Sequence, residues 1–524
     1  MIAARKQLDR FGVPVLLALG SGLLFFWNLG RGSLQDWDEA TYAEIAREIA
    51  VFHDWIRLHW NYVPWYNKPP LYIWLTAPLY HFGVTAFWAR AVSALAGVGV
   101  VLLTYAIARR FYGRTAGIVA AIVLGSCFQF IAAGRFGTSD MLLTFFLYAS
   151  LYAYLRAREH PAWWYGVGIF TGLAIMTKGP AALVGPAAIA AALLIDRQLR
   201  PALRTPQLWG GVVAMVAIAL PWHVVSFLHY GPAFFSQYLG TMVIGRIGAP
   251  VEGHDGDLLT YVAFIRDQFF PWVYAIPFAL LLFARDRLRA RDGSLMLVVF
   301  PAIVFILYTL VQTKLVWYIL PVYPALAILV AALLIKAVQG NRFALVSVGL
   351  AAVASIVSVP AALDAPPPLL ILALIGISAL LLTRVRVLKA AYAPALVGIV
   401  SAFFLAIVGI RAADLYTSGN LPVVSVARAA RAAVMGKPVR LVLYIADPNQ
   451  VTDLDVSHSL LFYSHRPVRV AVGPAAFEQA VGCRKQDVVL AVKDVPSVPP
   501  RYRLSAVHPK PPLLRAAAVP VTGC

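Results

Sequence analysis

Six of the twenty-four acidic residues, Asp36, Asp38, Glu39, Glu44, Glu48 and Asp54, fall in a single stretch near the start of the chain. The stretch continues through Trp55, Trp60, Trp65 and Tyr66 to Asn67-Lys68-Pro69-Pro70-Leu71-Tyr72. A carboxylate with a lysine nearby offers a general base and a cation for an anionic leaving group, so Asp38 and Lys68 are the chemical candidates. A structural reading stands beside this one. Asp38 and Glu39 open a helical pattern, where free amides and the helix dipole favour carboxylates, so Asp38 also reads as an N-cap. The aromatic residues read as an interfacial belt or as surfaces that stack on a sugar.

Further candidates lie in short loops. In Gly134-Arg135-Phe136-Gly137-Thr138-Ser139-Asp140, Arg135 and Asp140 form either a structural pair or a functional one, because charge near membrane depth is costly. Lys178 precedes a Gly-Pro turn. A loop from Leu228 to about Thr260 holds Arg246, Glu252, His254, Asp255 and Asp257. Glu252, His254 and Asp255 carry the right atoms for a divalent metal, but their spacing matches no defined site and also suits a solvated loop. Lys314 follows an apolar run as a snorkelling lysine or a phosphate ligand.

The elements that would position these residues are apolar. Of the 524 residues, 60% are hydrophobic and 13% charged. Apolar runs recur at the length that crosses a hydrocarbon core. Thirteen spans are expected, at roughly 11–29, 86–108, 115–134, 138–155, 163–177, 179–195, 208–228, 260–284, 294–312, 315–335, 343–363, 368–383 and 392–410. The first is read as a retained helix rather than a cleaved signal.

The formal net charge of +20 raises nucleic acid as a partner, but its distribution argues against it. Lys and Arg gather in alternate short loops, from Arg5, Lys6 and Arg10 to Arg384, Arg386 and Lys389, which is the positive-inside pattern. This places the N-terminus in the cytoplasm and the C-terminus outside. Before the last domain, ten basic residues then fall on the outer side: Arg31, Arg47, Arg57, Lys68, Arg90, Arg135, Lys178, Arg246, Arg266 and Lys314. They work against the topology signal and are therefore the better functional candidates.

Within the first outer loop, at about 30–85, residues 39–52 read as an amphipathic surface helix. Glu44, Arg47 and Glu48 lie opposite Tyr42, Ile45, Ala46 and Ile49. A short helix is expected after Pro69-Pro70. From about Ala412 the composition turns soluble-like. A helix is expected at 425–435 and strands at 439–445, 459–463, 468–472 and 488–492, making a small α/β domain over 412–524 beside the membrane domain of 1–411. His458, His465 and Asp447 read as ordinary polar residues of that domain. Cys127 reads as packing, and Cys483 and Cys524 as a permitted disulfide or two thiols.

Asp38-Glu39 with Tyr42-Ala43-Glu44-Ile45-Ala46-Arg47-Glu48 resembles the first-loop motif of the GT-C class of polyprenyl-phosphate-dependent glycosyltransferases. More narrowly, it is similar to the bacterial aminoarabinose transferases and their protein O-mannosyltransferase relatives. Asn67 to Tyr72 resembles their Lys-Pro-Pro-Leu-Tyr segment, Arg135 to Asp140 their second acidic loop, and Tyr318-Ile319-Leu320-Pro321 their late Tyr-x-Leu-Pro segment. Thr41 and Asn67 depart from the pattern, where Arg and an acidic residue are common; this leaves the sugar and the acceptor open.

The resemblance implies a GT-C-like bundle in a bacterial inner membrane with a periplasmic C-terminal domain. It implies an inverting transferase that moves a sugar from a polyprenyl-phosphate carrier to a lipid, glycan or protein. Asp38 would be the main catalytic carboxylate, Glu39 its support and Asp140 a second acid. Lys68 would hold the donor phosphate, with Arg246, Lys314, Arg135 and Lys178 as further candidates, and Tyr42, Trp65, Tyr66 and Tyr318 would line the pocket. No cofactor is required, and a divalent metal is possible. A polytopic lipid or polysaccharide transporter, and a non-catalytic carrier-binding protein, are the rival readings.

Overall fold

A computed structural model describes residues 2–35, 37–195, 197–250, 254–288, 290, 292–362, 427–428, 431, 440–445, 456–465, 467–481, 488–492, 502–504 and 518–520. The expected spans at 368–383 and 392–410, most of the helix at 425–435, Asp447, Cys483 and Cys524 lie outside these residues. Cys127 is buried and free.

The chain clusters into two compact units. The first contains Met1–Trp27, Asn67–Leu71 and Ser93–Ala412, and the second Asn28–Tyr66, Tyr72–Val92 and Ala413–Cys524. Most of the first outer loop therefore groups with the C-terminal segment, while Asn67–Leu71 groups with the helices of the first unit.

The helices are, in order, α1 (Ile2–Phe26), α2 (Asp38–Phe52), α3 (Leu71–Thr76), α4 (Ala86–Tyr112), α5 (Arg114–Gly125), α6 (Phe128–Arg135), α7 (Ser139–Ala157), α8 (Trp163–Lys178) and α9 (Val184–Ile195). They continue as α10 (Pro206–Tyr230), α11 (Pro232–Phe235), a π-helix (Ser236–Gly245), α12 (Arg246–Gly248), α13 (Thr260–Gln268), α14 (Ile276–Arg287), α15 (Met296–Leu310), α16 (Tyr323–Val338) and α17 (Arg342–Ala362). Among the described residues, four helical stretches are long and apolar enough to cross a membrane, or up to six if each of two bent pairs counts as one span. The pairs are α5 with α6, bent by 71°, and α13 with Trp272–Arg287, bent by 113°. The expected spans at 115–134 and 260–284 are thus broken.

Trp163–Ile195 is helical over 33 residues, yet it reverses direction within them. Along α8, Thr171 meets Ser150 and Lys178 meets Asp140, so α8 runs antiparallel to α7. Past the 3₁₀ turn Gly179–Leu183, Gly185 abuts Leu147, so α9 runs back along α7. Gly179 makes this turn possible with φ +58. On its other side α8 crosses α10 closely. A Cβ on Gly168 would stand 1.8 Å from the Gly211 carbonyl oxygen. Small residues allow such an approach where apolar burial supplies little drive between helices.

In the second unit, β1 (His59–Trp60) and β2 (Val63–Pro64) form a hairpin. Its two central residues, Asn61 and Tyr62, both have positive φ, as a two-residue I′ turn requires. The C-terminal strands β3 (Arg440–Ile445), β4 (Val468–Val472), β5 (Val488–Val492), β6 (Tyr502–Leu504) and β7 (Ala518–Pro520) build one sheet in the order β4-β3-β5-β7-β6. The first three are parallel and the last two pair antiparallel. Helices α18 (Val456–Ser464) and α19 (Gly473–Val481) flank β4 in sequence. The strand expected at 459–463 is therefore helical. Leu460, Leu461, Phe462 and Tyr463 are all buried, a continuous burial that half-exposed strand alternation cannot give.

Candidate functional site

Helix α2 presents Asp38 as its first residue, with Trp37 at the cap position and no side-chain cap bond. The N-cap reading of Asp38 thus moves by one residue, although the helix dipole still favours a carboxylate in the first turn. Trp37 has φ 68, a conformation that costs a non-glycine residue roughly 1–3 kcal/mol and survives only where surroundings enforce it. Asp38 itself is half-buried.

Glu39 is fully enclosed. Its carboxylate accepts two bonds from Arg90, at 2.7 and 3.1 Å, and one from the Gln35 N–H at 2.6 Å. Arg90 also donates to the carbonyls of Leu29, Arg31 and Ser33. Glu39 is therefore an anchor for the backbone leading to Asp38. In the sequence Arg90 stands out only as a basic residue on the expected outer side, and that misplacement is its signal.

The expected surface face of α2 is buried as well. Glu44, Arg47 and Glu48 point inward, as do Tyr42, Ile45 and Ile49. Arg47 donates to both Glu44 oxygens, at 2.7 and 2.5 Å, and to the Tyr62 hydroxyl at 3.2 Å. Both Glu48 oxygens accept the Tyr62 N–H at 3.1 Å. Burial, followed by the neighbouring Glu44 charge, pushes the Glu48 carboxyl up to about 8; the Tyr62 N–H and Arg47 oppose this. Burial also raises Glu44, against the pull of Arg47. Tyr42 packs edge-on to Trp65 at 6.4 Å and against Tyr72 at 5.8 Å. Tyr42 and Trp65 are buried, whereas Tyr66 is half-buried.

In the first unit, Asp140 opens α7 and Lys178 closes α8. They form an ion pair with side chains only 5% and 13% exposed. Asp140 thus pairs with Lys178, and the expected Arg135–Asp140 pair is not formed. The Lys178 ammonium also stands over the Tyr318 ring, 5.4 Å from its centroid. Arg246, which follows the π-helix, donates to the Tyr318 hydroxyl at 3.0 Å. Two cations, one carboxylate and one phenol therefore meet, and such a set can receive a phosphate by charge-assisted bonds. Lys68 is half-buried just before Pro69-Pro70 and α3.

The Arg135 and Lys314 side chains lie at helix ends. Arg135 Nη1 donates to the carbonyls of Leu24, Phe25 and Trp27 at the end of α1. Lys314 is buried, and its ammonium donates to the carbonyls of Tyr308, Thr309 and Val311 at the end of α15. Both cap helix C-termini whose carbonyls lack intrahelical partners, and this sets them apart from Arg246 and Lys178.

The loop expected from Leu228 to Thr260 is largely helical, with its π-helix beside the end of α10. His223 Nδ1 bonds the Ala219 carbonyl at 2.7 Å, so that nitrogen carries the proton, and Nε2 accepts from the Tyr238 hydroxyl at 3.0 Å. A Cβ on Gly179 would lie 2.2 Å from the Tyr238 oxygen. No sequence signal marked this contact. Of the expected metal ligands, Glu252 lies outside the described residues, and His254 and Asp255 are exposed. Among the described residues, no group of three His, Cys, Asp or Glu side chains is placed to hold a metal.

This helical fold has a counterpart among solved structures. The fold matches that of ArnT from Cupriavidus metallidurans, crystallised with undecaprenyl phosphate, with a TM-score of 0.77 at 22% identity over 97% of this chain and 98% of that one. A family model described as dolichyl-phosphate-mannose-protein mannosyltransferase matches residues 67–224.

Two undecaprenyl phosphate-alpha-4-amino-4-deoxy-L-arabinose arabinosyl transferases are similar in sequence. That of Pseudomonas fluorescens is 31% identical over 64% of this chain and 59% of its own length. That of Shewanella sediminis is 29% identical over 64% and 62%. The chain spans about six-tenths of the length of the curated relatives it matches.

Proposed function

We propose that this chain is an inverting glycosyltransferase of a bacterial inner membrane, with the N-terminus cytoplasmic and the C-terminus periplasmic. It takes a sugar from a polyprenyl-phosphate carrier of the undecaprenyl type and passes it to a lipid, glycan or protein acceptor on the outer face. The convergence of Lys178 and Arg246 on Tyr318, beside Asp140, carries the reading. The names of the sequence relatives support it.

In this reading the acceptor oxygen attacks the anomeric carbon from the face opposite the phosphate. The carbon–oxygen bond to phosphate breaks, and the phosphate leaves with the electron pair. Asp38 takes the acceptor proton. Lys68, Arg246 and Lys178 offset the growing charge on the phosphate. Asp140 holds Lys178 in place, and Tyr66 and Tyr318 contact the donor. The donor arrives already activated, so these steps need no nucleotide.

The test is release of free polyprenyl phosphate from a panel of polyprenyl-phosphate sugars by purified protein in detergent, with membrane lipid extract as acceptor. Wild type should release it with one panel member, and Asp38→Asn should bind that donor without turnover. Donor binding without release in either protein would point to a carrier-binding role instead.

A further inference from the structure

Helix α18 comes from the C-terminal segment, and three of its side chains contact Leu34 and Trp37 in the stretch that leads to Asp38. The Tyr463 hydroxyl accepts the Leu34 N–H at 2.8 Å. Ser459 Oγ donates to the Leu34 carbonyl at 3.2 Å. The His458 ring lies between two indoles, 5.3 Å from Trp37 and 5.1 Å from Trp60, each inclined by 29°. Leu34, Ser459 and Tyr463 are buried, whereas Trp37 is 49% exposed. The half-exposed Trp37 is the residue with φ 68. A strained, poorly covered residue needs outside contacts to hold it, and α18 supplies the His458 stack. Asn61 ties the same two regions together: its side-chain amide donates to the Val468 carbonyl at 2.7 Å and accepts the Val468 N–H at 2.9 Å.

We propose that α18 fixes the turn that presents Asp38, with His458, Ser459 and Tyr463 as positioning residues for it. The C-terminal segment is then part of the reaction machinery although it supplies no reacting group. The consequence for turnover rests on the function proposed above; the fixing of the turn does not.

The test uses the full chain in detergent and four variants: His458→Ala, His458→Phe, Ser459→Ala and Tyr463→Phe. Hydrogen–deuterium exchange is followed in the peptide covering residues 33–41, together with kcat and KM for the donor. His458→Ala and Tyr463→Phe should speed exchange in that peptide and lower kcat about ten-fold, with donor KM within about two-fold. Ser459→Ala should do the same more weakly. His458→Phe keeps a flat ring between the indoles and should restore both readouts, which a general loss of stability would not allow. Unchanged exchange in His458→Ala and Tyr463→Phe overturns the proposal, as does faster exchange with kcat intact. If wild type turns over no donor, the functional reading fails by itself, and exchange alone decides whether α18 holds the turn.

Discussion

Arg90 and Glu39 hold each other through two bonds while each side chain is only 2% exposed. The remaining guanidinium donors collect three backbone carbonyls from residues 29–33. One ion pair thus fixes both the start of α2 and the chain leading into it. A pair of this kind is kept for the geometry it imposes, since its desolvation offsets much of its attraction.

Arg90→Met should therefore cost roughly 3–5 kcal/mol, because it leaves the Glu39 charge buried without its main partner. Arg90→Met with Glu39→Gln should recover a good part of that loss. Thermal unfolding in detergent of the two single variants and the double variant measures the coupling. Additive losses would show that the two residues act independently.

The Asp140–Lys178 pair is predicted to behave differently. Lys178→Met should raise donor KM about ten-fold or more by removing a phosphate contact. Asp140→Asn should give a smaller rise by loosening Lys178. Once Lys178 is Met, adding Asp140→Asn should change KM little further. Steady-state kinetics on this cycle decides it, and equal, additive effects would separate the two roles.

Glu48 predicts a pH dependence of stability. Its folded-state carboxyl, near 8, lies above the ordinary value of 4.5. The folded protein therefore binds a proton that the unfolded chain releases, and stability should fall as pH rises from the ordinary carboxylate range through about 8. His465, pushed down to about 4 by burial and by Arg47 and Arg431, stays neutral over that window. Glu48→Gln should flatten the profile and raise the unfolding temperature above pH 7. A profile of unchanged slope in the variant would assign the effect elsewhere.

Lys314 and Arg246 provide a contrast between two cations. Lys314→Met removes the cap from α15 and should lower stability by about 1–3 kcal/mol while leaving donor affinity close to wild type in the folded fraction. Arg246→Met should leave the unfolding temperature nearly unchanged and weaken donor binding about ten-fold. Paired binding and melting curves distinguish them, and a selective affinity loss in Lys314→Met would return that residue to the phosphate site.

The apolar helices were legible because burial in a membrane demands long runs that hydropathy alone reveals. Residues 459–463 carry no clear signal because Ser-Leu-Leu-Phe-Tyr is short, apolar and aromatic, and such a run fits a strand as well as one buried helical turn. Of the candidate site, Asp140, Lys178, Arg246 and Tyr318 were each recognised singly. Their meeting was not, since it depends on where α8 reverses. The capping roles of Arg135 and Lys314 were equally hidden, because a cap is defined by carbonyls on another turn or another helix. Burial of the charged face of α2 broke the usual amphipathic rule, as enclosed polar clusters do when their members satisfy one another.

Strand β4 stands at the end of the sheet order, and a terminal strand is a template on which a foreign chain can add itself. The Asn61 amide occupies both backbone groups of Val468, its first residue. A loop far away in sequence thus closes one end of that edge. A C-terminal segment produced without residues 28–92 would carry that end uncovered, so its tendency to self-associate is set by a residue it does not contain.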